Sequence, residues 1–267
     1  MNKKCPVNDN SYAKISILIL THNAPEYVKE TLETLALTRK MPDILDYETI
    51  VFDNNSDSGT KDLLVKMKES GYIDKLYLSE KNNLFARGNN LASKLCSKDS
   101  NYILLLNSDI QIRKGIWLQK LIDEKNRGGY AVAAYGCCDQ RADGYCFLID
   151  RYLYDKYLLD EKYAWFWGIA KLQAKLIRDG FKILAIKNHD KFLHHYSQKS
   201  GEAPPGASGM NTDVNEVRAW FRKDKNKYIR EKDLAPFYSF YKEKKIFVKR
   251  RIIKMFFRCG KLKEPGK

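Results

Sequence analysis

Apolar and polar positions fall in blocks along this chain. Lys14–Leu20 (KISILIL), Tyr47–Phe52 (YETIVF), Lys75–Leu78 and Tyr102–Leu106 (YILLL) are short, nearly continuous apolar runs. Runs of this length without strict alternation predict strands buried on both faces of a parallel sheet. Between them, polar loops open onto segments with helical spacing. Val28, Leu32, Leu35 and Ala36 share one face of Glu26–Leu37. Thr60–Ser70 and a segment ending at Leu95 repeat the arrangement. Gly115–Arg127 predicts a further helix, and Tyr130–Tyr135 and Lys182–Ile186 two more strands. Strand, loop and helix recurring with short connections predict an α/β fold, a mostly parallel sheet covered by helices.

Three of the strands stop abruptly at polar residues: Thr21-His22-Asn23, Asp53-Asn54-Asn55-Ser56 and Asn107-Ser108-Asp109. Open α/β sheets bind ligands at the edge where parallel strands end. Asp109, flanked by the oxygens of Asn107 and Ser108, suits a hard divalent cation, Mn²⁺ or Mg²⁺, that shares its oxygen ligands with a substrate phosphate. Asp and Asn also favour turns in their own right, so any one of these strand ends reads equally as a turn. No GxGxxG follows the first strand and no GxxxxGK[ST] occurs, which disfavours dinucleotide and P-loop sites.

Composition narrows the picture. The 267 residues suit one large domain with an appendage, and 44% apolar content supplies its core. The net charge of +15 is uneven: Arg218–Lys267 carries 18 Lys/Arg and 5 Asp/Glu, so the body before it is nearly neutral. That asymmetry predicts a basic surface-binding appendage and argues against nucleic acid, since no recognised binding module accompanies the charge. Within the appendage, Asn215–Lys232 predicts a charged helix. In Phe237–Arg258, Ile246, Phe247, Val248, Ile252, Ile253 and Phe256 interleave with Lys249, Arg250, Arg251 and Lys254. This basic amphipathic pattern predicts a helix lying on an anionic membrane surface, too short and charged to span it; packing on the body or on a partner is the other reading. The six cysteines form no CxxC pair, and Ile15–Leu20 is too short for a signal-peptide core, so the expected compartment is the cytoplasm.

Four stretches together carry a resemblance: ISILILTHNAPEYVKETLETL, ETIVFDNNSDSGT, NNLFARGNNLA and YILLLNSDIQI. In this order and spacing they resemble the inverting GT-A-type glycosyltransferases of family 2, nearest to the rhamnosyltransferase-like branch of bacterial surface polysaccharide synthesis. The likeness runs from about Lys14 to about His195. It implies a nucleotide-sugar donor and a glycan or lipid-linked acceptor, with the protein peripheral on the inner face of the cell membrane. By the same resemblance, Thr21, Asn23, Asp53, Asn55, Asn83, Arg87, Asn90 and Ser108 are expected around the nucleotide, with Ser56 beside Asp53. Asn107 and Asp109 match a metal-binding D-x-D, and His194 is the closer match of His194-His195 to a metal- or diphosphate-contacting histidine. Ser200–Met210, rich in Gly, Pro and Ser, reads as a lid over the donor or as a plain linker.

One position departs from the family pattern. Where Glu-Asp-x-Asp is usual, aligned on Trp167 and Gly180, this chain has Gly168-Ile169-Ala170-Lys171. Inverting transfer needs a carboxylate to take the acceptor hydroxyl's proton. Three readings stand: a nearby carboxylate substitutes, with Asp160, Glu161 and Asp143 as candidates; the protein binds a sugar nucleotide without transferring it and recruits partners through its tail; or the carboxylate has been replaced by substitution, with Ala170 the residue that suggests it. The expected architecture is a GT-A domain over 1–210 and a basic helical extension over 211–267.

Overall fold

The computed structural model describes residues 13–38, 46–138, 141–186, 189–197, 199 and 212–221. In chain order these form β1 (Ile15–Thr21), α1 (Pro25–Thr38), β2 (Tyr47–Asp53), α2 (Ser58–Glu69), β3 (Lys75–Leu78), α3 (Leu84–Ser93), β4 (Tyr102–Asn107) and β5 (Ile110–Ile112). There follow α4 (Trp117–Gly128), β6 (Val132–Tyr135), β7 (Cys137–Cys138), β8 (Arg141–Ala142), β9 (Cys146–Asp150), α5 (Arg151–Tyr157), α6 (Gly168–Arg178), β10 (Ile183–Ile186), β11 (Leu193–His195) and α7 (Val214–Phe221).

Seven strands build one sheet in the order β10-β6-β9-β4-β1-β2-β3. All run parallel except β9, which is antiparallel to both its neighbours. The mostly parallel sheet flanked by helices is the architecture predicted from the apolar runs. The burial explains them: every residue of β2 and all but Leu20 in β1 are buried, so neither strand has a solvent face to make polar. At the edge where these strands begin, Glu48 is buried within β2 and bound by Ser16, Ser97 and Lys75. Across the sheet, Lys125 of α4 pairs with Asp150 at 2.6 Å and closes α4 onto the end of β9.

Two elements depart from the sequence reading. β5 and β11, three residues each, pair antiparallel as a separate ribbon, a length too short to show a period. Thr34 of α1 accepts a hydrogen bond from Ile112 N at 3.1 Å and ties this ribbon to α1. α5 follows β9 without an intervening loop, so no turn residues announce it. The expected extension begins as α7, whose Val217 and Phe221 are buried in the main core. Trp220 of α7 lies edge-on to Tyr163 and under the Lys171 amine, 4.1 Å from the ring centre. Ser200–Met210, the remainder of the predicted helix Asn215–Lys232, and Phe237–Arg258 lie outside the described residues. Among the described residues no helix is long and apolar enough to cross a membrane.

Candidate active site

The register of the sheet brings the polar strand ends side by side. Thr21 of β1 is opposite Asp53 of β2, and Leu20 is opposite Asn107 of β4. Asp53 is fully buried, and its carboxylate accepts hydrogen bonds from Thr21 Oγ1 (3.0 Å), Ser56 N (3.0 Å) and Ser56 Oγ. The group thereby folds the Asp53–Ser56 loop back against β1. Asn23 completes that junction: its amide donates to Ser56 Oγ at 2.7 Å, and its Oδ1 accepts from Asp57 N at 2.8 Å. Asn54 then joins β2 to α3, accepting from Asn83 N at 3.0 Å and donating to Leu84 O at 3.2 Å. α3 approaches so closely that a Cβ on Gly88 would sit 2.7 Å from Leu20 Cδ1 and 3.1 Å from Asn54 Nδ2.

These loops are strained. Asn23, Ala24, Asn55, Leu84, Trp167 and Ser197 all hold φ near +60° to +70°, a region costing non-glycine residues about 1–3 kcal/mol each. All but Ala24 line, or adjoin a residue that lines, one cavity of about 800 Å³ at this edge. One wall is β1, β2 and α3, with Thr21, His22, Asn54, Phe85 and Asn89. The rest of the lining comes from Arg141–Tyr145 and Trp165–Ala170.

At the end of β4 the chain is held tightly. Thr31 of α1, fully buried, donates to Ser108 O and accepts from Ile110 N, both at 2.9 Å, clamping the backbone on either side of Asp109. Tyr145 O accepts from Asn107 N at 2.8 Å. Asp109 itself is fully buried. Among the described residues its Oδ2 accepts only a long bond, 3.3 Å, from Lys199 N. Its Oδ1 has no hydrogen-bond partner among the described residues: His195 Nε2 approaches to 3.3 Å but off the hydrogen-bond direction. Asn107 Nδ2 lies 3.4 Å from the same His195 nitrogen. His195 stacks on Tyr145, ring centres 4.4 Å apart, and the buried Tyr145 hydroxyl likewise has no hydrogen-bond partner among the described residues. Burial drives the Tyr145 pKa far above its usual value, so the phenol stays protonated and able to donate.

A buried carboxylate oxygen left unpaired costs several kcal/mol unless something positive meets it. Asp109, Asn107 and His195 therefore suit a divalent cation. No three His, Cys, Asp or Glu side chains converge among the described residues, so the remaining ligands of such an ion would come from water or a ligand's phosphates, as hard cations allow.

The model of the glycosyl transferase family 2 matches residues 16–165, more than half of the chain. The chain belongs to glycosyl transferase family 2. No curated protein is significantly similar to it in sequence. Among solved structures, the mannosyltransferase PcManGT from Pyrobaculum calidifontis in complex with GDP-Man and Mn2+ superposes with a TM-score of 0.57 at 12% identity, over 70% of this chain and 57% of that one. S. aureus TarS 1-349 in complex with UDP-GlcNAc gives 0.56 at 14% identity, over 78% and 64%. The catalytic domain of Drosophila beta1,4galactosyltransferase 7, in complex with xylobiose, gives 0.52 at 11%, over 80% and 81%. At these identities the likeness is of fold, the GT-A arrangement. The chain spans less than two thirds of the length of the first two.

In this family 2 chain several expected residues lie elsewhere than the sequence suggested. His195, not His194, faces Asp109, because neighbours on β11 point to opposite sides; His194 instead lies 3.5 Å from Asp190 and edge-on to Tyr196. Asn90 is spent on the backbone of Leu159, donating to its carbonyl at 2.9 Å and accepting from its amide at 3.0 Å, while Asn89 lines the cavity. Asn83 is buried behind the Asn54 junction, donating to Ser79 and to Lys81 O. Arg87 is exposed, and Asn55 accepts from Lys61 Nζ at 3.1 Å on the outer side of its loop. Thr21 and Ser108 line the cavity.

The window in place of the usual base opens α6 and lines the cavity through Gly168, Ile169 and Ala170. Two of the three substitute carboxylates, Asp160 and Glu161, do not line the cavity. Asp160 accepts from Lys162 N and lies 3.6 Å from Lys175 Nζ, and Glu161 accepts from Asn90 Nδ2 at 3.2 Å. Sequence reasoning missed Asn89, His195, Arg141 and Tyr145 as lining groups. Only the fold brings Arg141 over the Trp167 ring, 5.0 Å from its centre.

Proposed function

We propose that this enzyme transfers a sugar, with inversion, from a UDP- or dTDP-sugar to a lipid-linked or growing bacterial surface glycan, assisted by Mn²⁺ or Mg²⁺. The observation that carries the reading is the fully buried carboxylate of Asp109 at the C-terminal edge of β4, beside Asn107 and His195, with its Oδ1 lacking a hydrogen-bond partner among the described residues. A cation there would neutralise the charge that develops on a departing nucleoside diphosphate. Thr21, the Asp53–Ser56 loop and Asn89 would hold the nucleoside, with Asp53 acting through the loop it folds. The PcManGT and TarS complexes, with GDP-Man and Mn2+ and with UDP-GlcNAc, support a nucleotide-sugar donor on this fold. Trp165, Phe166 and Trp167, which line the cavity, would offer apolar faces to the acceptor. The basic segment Phe237–Arg258 would keep the enzyme on an anionic membrane, where lipid-linked acceptors reside.

The absence of a carboxylate from Gly168–Lys171 favours a second reading, a donor-binding subunit that does not turn over. Nucleoside diphosphate release from a panel of UDP-, dTDP- and GDP-sugars with Mn²⁺ and membrane-extracted acceptor separates the two. Metal-dependent release from at least one donor is expected; donor binding without release would support the second reading.

A further inference from the structure

We propose that Asp143 is the general base of this glycosyltransferase, replacing the carboxylate missing from the start of α6, and that Gln173 positions it. The inference rests on the transfer reading above.

Asp143 is the one carboxylate among the described residues that lines the cavity, and it does so on the wall that also carries Gly168, Ile169 and Ala170. The two segments touch: a Cβ on Gly144, the next residue, would come 3.1 Å from Ile169 Cγ1. Asp143 therefore adjoins the residue packed against the empty window. It is also close to the donor end. Tyr145 O accepts from Asn107 N, and two residues of chain reach at most about 7 Å. That span separates Asp143 from Tyr145, the residue bonded to the end of β4 at Asn107.

The carboxylate is also fixed. Gly144 N donates to Asp143 Oδ1 at 2.7 Å, and Asp143 N donates to Gly136 O at 3.1 Å. Gln173, fully buried in α6, donates to Ala142 O at 2.9 Å and accepts from Ala142 N at 3.0 Å. It sits three residues after Ala170 and so on the same side of the helix. A neutral amide with both groups committed to one backbone unit locks the residue before Asp143 to the helix that normally supplies the base.

In the step, an Asp143 carboxylate oxygen takes the acceptor hydroxyl's proton. The acceptor oxygen forms its bond to the anomeric carbon from the face opposite the leaving group. The bond from that carbon to the diphosphate oxygen breaks, and its electron pair leaves with the nucleoside diphosphate. The glycoside is inverted, and protonated Asp143 returns its proton to water.

The test is the Asp143→Asn variant, which keeps the size of the side chain and an acceptor for Gly144 N. Donor affinity is read by calorimetry with Mn²⁺ and the sugar-nucleotide panel, and turnover by nucleoside diphosphate release. Affinity is expected within about twofold of the parent, and turnover to fall about 10²–10⁴-fold, the usual worth of a general base. In that background, Ile169→Asp is expected to restore turnover at least tenfold, because it returns a carboxylate to the adjoining window; a purely structural role for Asp143 would not be rescued there. Gln173→Leu is expected to lower turnover at unchanged donor affinity. Parental turnover in Asp143→Asn, or a loss accounted for by weaker donor binding, overturns the assignment. Absence of donor binding by the parent enzyme overturns the transfer reading itself, and the base assignment with it.

Discussion

Glu48 offers a test of how the sheet beneath the site is held. It lies in β2, whose other end carries Asp53, and is 7% exposed. Its Oε1 accepts from Ser16 Oγ at 2.5 Å and Ser97 N at 2.6 Å; its Oε2 accepts from Ser97 Oγ at 2.7 Å and meets Lys75 Nζ at 2.8 Å. Burial pushes its carboxyl pKa up, but the hydrogen bonds from Lys75, Ser16 and Ser97 together outweigh it and bring the group from its usual 4.5 down to about 2. A fall of that size corresponds to roughly 3 kcal/mol. Lys75 is 40% exposed, and screening there reduces the expected contribution to about 2 kcal/mol. Because the folded pKa is depressed, this stability is fully present above pH 4.5 and is lost as pH falls towards 2. Glu48→Gln keeps the shape and loses the charge. Urea unfolding of parent and variant across pH should show a gap of about 2 kcal/mol at pH 7 that closes as the pH approaches 2. A gap that is absent at pH 7, or that stays constant down to pH 2.5, would refute the reasoning.

Three further outcomes follow from the same geometry. Gly88→Ala forces a methyl group against Leu20 and Asn54; it should cost about 1–2 kcal/mol of stability and weaken nucleotide binding, read by urea midpoint and calorimetry. Thr31→Val leaves Ser108 O and Ile110 N without their buried partner; a loss of about 2–3 kcal/mol is expected in urea unfolding, together with weaker metal-dependent nucleotide binding as Asp109 shifts. Removing residues 237–267 should release the protein from vesicles containing anionic lipid in low-salt co-sedimentation while leaving nucleotide affinity unchanged, because most of the basic excess lies in the Arg218–Lys267 segment.

The fold was legible because its central strands are buried on both faces. KISILIL and YILLL have no solvent side to interrupt them, and each ends at the polar residue where the sheet stops. The ribbon of β5 and β11 was not legible, since its pairing joins positions about eighty residues apart in segments of three. The same gap explains the histidine: choosing between His194 and His195 requires the register that sets Leu193 opposite Ile112. Asn89 and Asn90 differ by one step around a helix, and only packing against Leu159 decides which turns inward. Asp53 and Asn83 illustrate another limit. Their types suit a ligand, yet both are buried and engaged in joining loops. The departure at Gly168–Lys171 was visible in the sequence. That Asp143 borders the same cavity was not, because Gln173 and the Gly144–Ile169 contact bring the segments together.

Asp109 is proposed to hold a divalent cation for a nucleotide-sugar donor. Calorimetric titration of UDP, dTDP and GDP, each with and without Mn²⁺, into the parent protein and Asp109→Ala tests it most directly. Asp109 is fully buried and its Oδ1 has no hydrogen-bond partner among the described residues, so its removal relieves a desolvated charge and should leave the unfolding temperature equal or higher. Mn²⁺-dependent nucleotide binding is expected in the parent and its loss in the folded variant. Equal, metal-dependent affinity in both proteins would contradict it.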